Sequence, residues 1–588
     1  MKTKLSIAVA ILITTIVACG RIQIDSENQR QMDVALRGVI SGRMPEYATK
    51  DPEGAKLWKQ TQSFYNRREF RPAWVENAKP RPQVETLVAS LREAETEGLD
   101  PSLYNVAMIE ARHAEASKGF LTDKGFDPRE AGALDVWYTY LYMKYASDLA
   151  DGLSNLSRAD KSWKITSEKF DPLQHLEKAL SENRIAESLR ELTPQGPEYA
   201  RLRTVLADYK ARKAQGGWRS LPGNLTLKPG QRSPHVSTLA KRLAATGDFR
   251  GTVPAEGQHA LYEGALVEAV KVFQRRHGLA DDGAITAAVV AEMNVPVDDR
   301  IAQIEMNMER WRWLPRELGS RYILVNIPEM RLDVYEGDTS TLTMRTVVGK
   351  EDTPTPIFND QMTHIVFSPY WNVPPSIAQE ETLPSVMSDP GFLARNNMEL
   401  VDASGNRVDP ASVDLNNPEA YRFRQRPGAD NSLGLVKFMF PNQFNVYLHD
   451  TPADSLFGRA ARSYSHGCVR LEQPLALAQY VLKDQPDWDA ARIEAAMHAG
   501  EEKHVKLKSP IPVYLGYWTA RVRPDGTVQF RHDVYGTDRR QTALLADRLE
   551  RLRRTSEAAA VATTLKEPKD TKGTTGTRPR KAAKGKNR

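Results

Sequence analysis

The chain has 588 residues, 40% of them hydrophobic and 27% charged, with a formal net charge of +6. That is more chain than one hydrophobic core serves and too apolar for a disordered polymer, so several globular domains are expected. Cysteine occurs only twice, which argues against a disulfide framework and fits an oxidising compartment, where stray thiols would pair wrongly.

Residues 1–18 read as an export signal. Lys2 and Lys4 precede an apolar run from Leu5 to Ala18, too short to span a bilayer comfortably. The run ends Ile16-Val17-Ala18-Cys19-Gly20. Aliphatic and small residues before a cysteine resemble a bacterial lipobox. That resemblance implies cleavage before Cys19, lipid attachment to its thiol and, with Gly20 rather than Asp following, an outer-membrane anchor facing the periplasm. The plainer alternative is an ordinary signal peptide with an incidental cysteine. No other apolar stretch is long enough to span a membrane.

Residues 19–225 read as a helical scaffold. Asp135 to Met143 carries apolar and aromatic side chains around most of a helix, the pattern of a buried one. Gly98-Leu99-Asp100-Pro101 is a helix stop followed by a start. Trp58, Phe64, Tyr65, Trp74 and Tyr104 are assigned to the core, and no chemistry is visible here.

Residues 226–297 read as a three-helix module. Ser233 is expected to cap the first helix, which carries Val236, Leu239 and Leu243. The second carries Leu266, Val267, Val270 and Phe273 and closes at His277-Gly278. The third holds Ile285, Val289 and Met293. The run from Ala269 to Gly283, with Phe273-Gln274, Gly278-Leu279 and Asp282-Gly283, resembles the peptidoglycan-binding domain. The alternative is a folded spacer that has kept only the core of that domain.

Residues 298–319 form a connecting helix with Ile301, Ile304, Met308 and Trp311 on one stripe, stopped by Pro315. The hydrophobic period then changes. Arg321–Ile327, Met330–Tyr335, Thr341–Val348, His364–Phe367 and Phe444–Leu448 read as strands, with a turn at Gly337-Asp338, which suggests a β-sandwich or β-sheet domain. Residues 501–550 are expected to add strands and a helix, and 551–588 to form a basic disordered tail. The last 24 residues hold nine Lys or Arg against two Asp or Glu, so the basic charge belongs to the tail and not to the folded chain. A nucleic-acid partner is not expected of an exported protein.

The chemistry concentrates in Tyr447-Leu448-His449-Asp450 and in Ser465-His466-Gly467-Cys468-Val469-Arg470. A free thiol is mostly protonated near neutrality, so a nucleophilic Cys468 needs a base or a positive charge beside it. His449 and His466 are the candidates, and Gly467 permits a tight turn that presents the nucleophile. Asp450 or a backbone carbonyl would fix the tautomer of the base. The competing readings are a buried apolar cysteine or a zinc site, and the spacing matches none of the common zinc patterns.

Here the resemblance becomes specific. His449, a spacing of fifteen residues and Ser465-His466-Gly467-Cys468-Val469-Arg470 are similar to the signature of the L,D-transpeptidases, the YkuD-domain family. Asn372-Val373-Pro374-Pro375, Arg424-Gln425, Asn431-Ser432-Leu433-Gly434 and Leu456-Phe457 extend the likeness. The order of parts resembles the large murein enzymes of Gram-negative bacteria. The resemblance implies a multi-domain α+β protein with a mainly β YkuD-like catalytic domain over 320–500 and a lid insertion over about 371–426. It makes Cys468 the nucleophile and His449 the general base. Ser465, His466, Gly467, Arg470 and Tyr447 become oxyanion or substrate contacts. No cofactor or metal is implied. The expected partners are donor and acceptor peptidoglycan tetrapeptide stems and proteins of cell-wall synthesis. The expected product is a 3-3 cross-link, with L,D-carboxypeptidase action, attachment of a lipoprotein to murein, or a non-catalytic wall-binding scaffold as alternatives.

Overall fold

The computed structural model describes residues 27–564 except 46, 49–51, 123–124, 154–159, 390 and 413–419. The signal segment with Cys19 and the final basic residues 565–588 lie outside the described residues.

The N-terminal region is helical around one core that runs from Met32 to Leu192. Its centre is α1, Pro128–Asp151, started by the Asp127 side chain, which accepts from the N–H of Arg129 and Glu130, with Pro128 in the first turn. The helix is buried around most of its circumference, as its aromatic run requires. Asp135 is the polar exception. Its carboxylate is fully buried and accepts the N–H groups of Ala73, Trp74 and Val75 and the Tyr65 hydroxyl, tying the loop at 73–75 to the helix. Trp58, Phe64, Tyr65, Trp74 and Tyr104 all lie in this core.

Residues 221–293 pack around a second core, with helices Val236–Ala245, Ala265–Arg276 and Ala287–Met293. Two local expectations need correction. Ser233 does not cap the first helix. It belongs to a two-residue strand paired with Ala260–Leu261, and its Oγ accepts from His235 N–H, so the chain turns before the helix begins at Val236. Ile285 precedes the third helix. It exchanges backbone hydrogen bonds with Leu227, and Thr286 takes the cap by accepting from Val289 N–H.

Helix α2, Val297–Arg312, links this module to the β domain and buries Ile301, Ile304 and Met308. Beyond it are β1 Arg321–Asn326, β2 Arg331–Glu336, β3 Thr339–Gly349, β4 Phe358–Phe367, β5 Val436–Met439, β6 Leu448–His449, β7 Ser463–Ser465, β8 Val469–Leu471 and β9 Lys503–Gly516. They form one sheet in the order β7-β3-β8-β6-β5-β4-β9-β1-β2, and β2 also pairs with β3. The sheet therefore closes on itself instead of forming two stacked layers, and its apolar side chains make a third core.

Closure explains further corrections. β9 lies between β4 and β1, so the folded β domain continues past residue 500. The run Phe444–Leu448 is a strand only at its end. The Asn442 side chain accepts the N–H groups of Phe444 and Val446, and Asn445 is left-handed at φ 54°, which makes the start of that run a turn. On its other edge β4 pairs with β5, a strand absent from the runs read as strands above. After β9 the chain forms a hairpin, Ala520–Val522 with Val528–Phe530, and α3, Thr537–Thr564, which is helical beyond the expected boundary at 551.

Between β4 and β5 the chain leaves the main sheet and builds a smaller one from Trp371–Asn372, Tyr421–Gln425, Met398–Asp402 and Arg407–Val408. The helical region also reaches into the β domain. Lys164 N–H donates to the Ile357 carbonyl, and the Trp163 ring lies edge-on to Trp313 and Trp518 at 5.0 and 6.4 Å.

Candidate active site

The motif around Cys468 sits where three short strands meet the end of β3. β7 runs beside Val348 and Gly349, and β8 returns along the opposite edge beside Thr346 and Val347. The turn from His466 to Cys468 therefore crosses the end of β3. Several bonds hold it there. Lys350 N–H and the Thr353 hydroxyl donate to the Ser465 carbonyl, and the Thr355 hydroxyl donates to the Gly467 carbonyl at 2.8 Å. Gly467 stands at φ 115°, a torsion that favours glycine, and Ser465, 2% exposed, closes the turn from within. Its Oγ accepts from Gly467 N–H at 3.2 Å and donates to the Cys468 carbonyl at 2.5 Å.

Strand register puts the other motif residues beside the thiol. β6 and β8 are parallel, with Leu448 opposite Val469 and His449 opposite Arg470. Val469 N–H donates to the Tyr447 carbonyl, which brings Tyr447 level with Cys468. Side chains alternate along a strand, so Tyr447, His449, Cys468 and Arg470 share one face. The Tyr447 and His449 rings lie 5.7 Å apart. On the other side of His449, in register across β5, stands Lys437, a residue that sequence reasoning missed.

His449 is 4% exposed. Its Nδ1 lies 2.5 Å from the backbone carbonyl of Asp450, which can only accept, so the proton of the neutral ring sits on Nδ1 and the lone pair on Nε2. Of the two groups considered for fixing the tautomer, it is the carbonyl that does so. The Asp450 side chain is engaged elsewhere, accepting from Leu435 and Thr451 N–H. Burial, and next to it the Arg470 charge, push the His449 pKa down to about 3. Burial pushes the Cys468 thiol up, against the opposing effects of Tyr447 and Arg470. Near neutrality both groups are uncharged. No hydrogen bond joins them. Sγ lies 3.9 Å from the Asn445 carbonyl.

Gly434 is required behind the Asp450 side chain. At φ 59° it already favours glycine, and a Cβ there would fall 2.4 Å from the Asp450 carboxylate. This gives a physical reason for the glycine in the stretch Asn431 to Gly434.

Two motif residues have partners of their own. Gly467 N–H is spent on Ser465, so it offers no free donor, whereas Cys468 N–H has no hydrogen-bond partner among the described residues. His466 turns to the smaller sheet's segment, where its Nε2 meets Glu381 Oε1 at 2.7 Å. Arg470 keeps a buried Nε with no partner. Among the described residues there is no cluster of His, Cys, Asp and Glu able to hold a metal ion.

Residues 320–500 match the family model described as the L,D-transpeptidase catalytic domain (YkuD), and residues 59–206 match one described as a scaffold domain. A curated relative from Haemophilus influenzae, named "Putative L,D-transpeptidase", is 35% identical over 240 residues, 40% of this chain and 48% of its own length. The chain thus spans about half the length of that relative. Among solved structures, an L,D-transpeptidase from Mycobacterium smegmatis is 14% identical over 33% of this chain and 58% of its own, at a TM-score of 0.16. One from Stackebrandtia nassauensis is 14% identical over 52% and 100%, at 0.19. The motif resemblance at His449 and Ser465–Arg470 and the match over 320–500 agree on one catalytic domain.

Proposed function

We propose that this chain is a peptidoglycan L,D-transpeptidase that forms 3-3 cross-links through a thioester on Cys468. The single observation that carries the reading is the shared face of β6 and β8, where Cys468, His449, Tyr447 and Arg470 stand together inside the matched catalytic segment.

In this reading the Cys468 sulfur attacks the carbonyl at the L-centre of diaminopimelate in a donor tetrapeptide. The thiol proton passes to His449 and then to the nitrogen of the departing D-Ala, leaving a thioester. The side-chain amine of an acceptor stem attacks the thioester carbonyl and expels the sulfur, which regains a proton. The ground state is a neutral thiol beside a neutral imidazole. An imidazolium between Arg470 and Lys437 is disfavoured until negative charge arrives. A stem carboxylate on the unpartnered Arg470 Nε supplies that charge, so substrate binding itself prepares the base. Cys468 N–H is the donor available to the oxyanion.

The segment 371–426 serves as the lid, with Glu381 meeting His466 beside the nucleophile turn. The module at 226–297 holds the wall, and Cys19 carries the outer-membrane lipid that keeps the protein in the periplasm. Hydrolysis of the same thioester, an L,D-carboxypeptidase reaction, is the second reading. The half-buried site with no hydrogen bond between thiol and base favours a substrate-assembled centre for either.

The test is incubation of the purified protein with defined tetrapeptide muropeptides and mass spectrometry of the products. Cross-linked dimer supports transfer. Tripeptide monomer alone moves the assignment to hydrolysis. No product from folded protein overturns both.

A further inference from the structure

A cavity with no role in the reaction above lies between β2, β3 and the hairpin at 520–530. Its volume is 280 Å³, just below the range for small-ligand sites, which run from about 300 Å³, and so gives room for a small anionic group. Its lining includes Arg331, Arg345, Arg462, Arg523 and Arg531 against only two carboxylates, Glu329 and Glu472.

The positive charge is only partly neutralised from within: Asp333 holds Arg331 at 2.8 Å, which leaves three carboxylates against the five arginines. Glu329 serves several guanidinium groups at once. Arg523 contacts it directly, with Arg531 at 3.5 Å and Arg521 at 3.6 Å. Burial alone would raise the Glu329 pKa, but Arg531, Arg523, Arg521 and Arg331 overcome burial and bring it to about 2. Arg462 has no carboxylate partner. Its guanidinium donates to the carbonyls of Thr346, Arg459 and Met330, so its charge stands as a fixed background.

Donors are also left over. Arg345 bonds Glu472 through Nε and Nη2, and its Nη1 has no partner among the described residues. Arg523 uses Nη2 alone and Arg331 uses Nε alone. The rim is accessible. The Arg345 side chain is 52% exposed and that of Glu472 21%.

We propose that this cavity binds an oxyanion, a carboxylate or phosphate group carried by a ligand from outside the chain. Guanidinium forks with unused N–H groups recognise such anions in a bidentate manner, and the excess of charge lacks a counter-ion. Glu472 acts as the resident anion on Arg345, and an incoming oxyanion competes with it. The site lies between the module at 226–297, where Arg531 donates to the Arg276 carbonyl at 2.8 Å, and the strand that carries Arg470.

The sign of the Glu472 effect separates a binding site from a structural ion network. Binding of inorganic phosphate to the full-length chain is measured by calorimetry, at low and at high salt. Arg345→Ala and Arg523→Ala are expected to weaken it by about tenfold each, the scale of one charge-assisted contact. Glu472→Gln is expected to tighten it, because the competing carboxylate is gone. A stem tetrapeptide is then added in a Cys468→Ala background. Displacement of phosphate from the Arg345-dependent site assigns the natural ligand as a carboxylate, and persistence of phosphate assigns it as a phosphate. The proposal is overturned if phosphate binding is absent, or is indifferent to all three substitutions in variants whose circular dichroism matches the wild type.

Discussion

His449 stands directly opposite Arg470 in the parallel pair of β6 and β8, so a buried imidazole and a guanidinium share one face of the sheet. The cation and the burial together hold the ring neutral far below the pH at which a free histidine protonates. Removing the cation should therefore raise the His449 pKa. The acid limb of kcat/KM for thioester formation is expected below about pH 6.5 in the wild type and at higher pH in Arg470→Gln. A pH–rate series on both proteins checks this, since loss of a mere substrate contact would lower the rate without moving the limb.

The same shift carries a stability effect. Unfolded, His449 binds a proton near about pH 6.5. Folded, it resists until about pH 3. Between those values the unfolded chain holds the extra proton, so this contribution is complete above the upper pH and is lost as pH falls, by up to about 1.4 kcal/mol per unit. Urea unfolding of wild type and His449→Gln at several pH values should show a shallower dependence in the variant.

Cys468→Ala should abolish acyl transfer and leave the fold intact, at a cost of several kcal/mol of barrier, with each ~1.4 kcal/mol worth tenfold in rate. A carbapenem-type β-lactam should leave one adduct on the intact wild-type mass and none on the variant, because a strained lactam carbonyl meets the same sulfur. The thiol is held above its ordinary pKa by burial, so alkylation by iodoacetamide should reach half-maximal rate above the pH seen for a free cysteine.

Ser465→Ala should lower the acylation rate by more than it lowers overall stability. The hydroxyl bridges Gly467 N–H and the Cys468 carbonyl, and its loss leaves buried groups unpaired at about 1–3 kcal/mol. Gly467→Ala should act through torsion alone, at about 1–3 kcal/mol, since its added Cβ would meet nothing nearer than 3.7 Å. Single-turnover kinetics alongside thermal melts of both variants would distinguish the two effects.

Glu381→Gln should change thermal stability little, because a partly exposed pair is worth about 0–1 kcal/mol. It should increase amide exchange at 375–388, where the contact with His466 holds the segment against the catalytic turn. Exchange mass spectrometry reads that directly. Cys19→Ser should release the chain from membrane fractions without changing turnover of the soluble form, as judged by fractionation and labelling with a palmitate analogue.

The sequence by itself determined the parts whose signal is local. The aromatic run at 135–143 dictated a buried helix, the apolar spacing at 236–243 and 266–273 dictated helices, and the isolated Cys468 beside Gly467 and His466 marked the turn of the candidate site. Torsional preference and periodicity operate within a few residues, so they can be read from a few residues. Tertiary structure decided what depends on pairing between distant segments. The closed sheet needs β9 between β4 and β1. The environment of His449 depends on Arg470 and Lys437 arriving in register from β8 and β5. The His466 contact comes from Glu381, 85 residues away in sequence, and the arginine cavity gathers side chains from separate strands and loops. No local pattern encodes these arrangements, because strand register and burial are set by the whole packed core, and burial is what holds the His449 imidazole neutral.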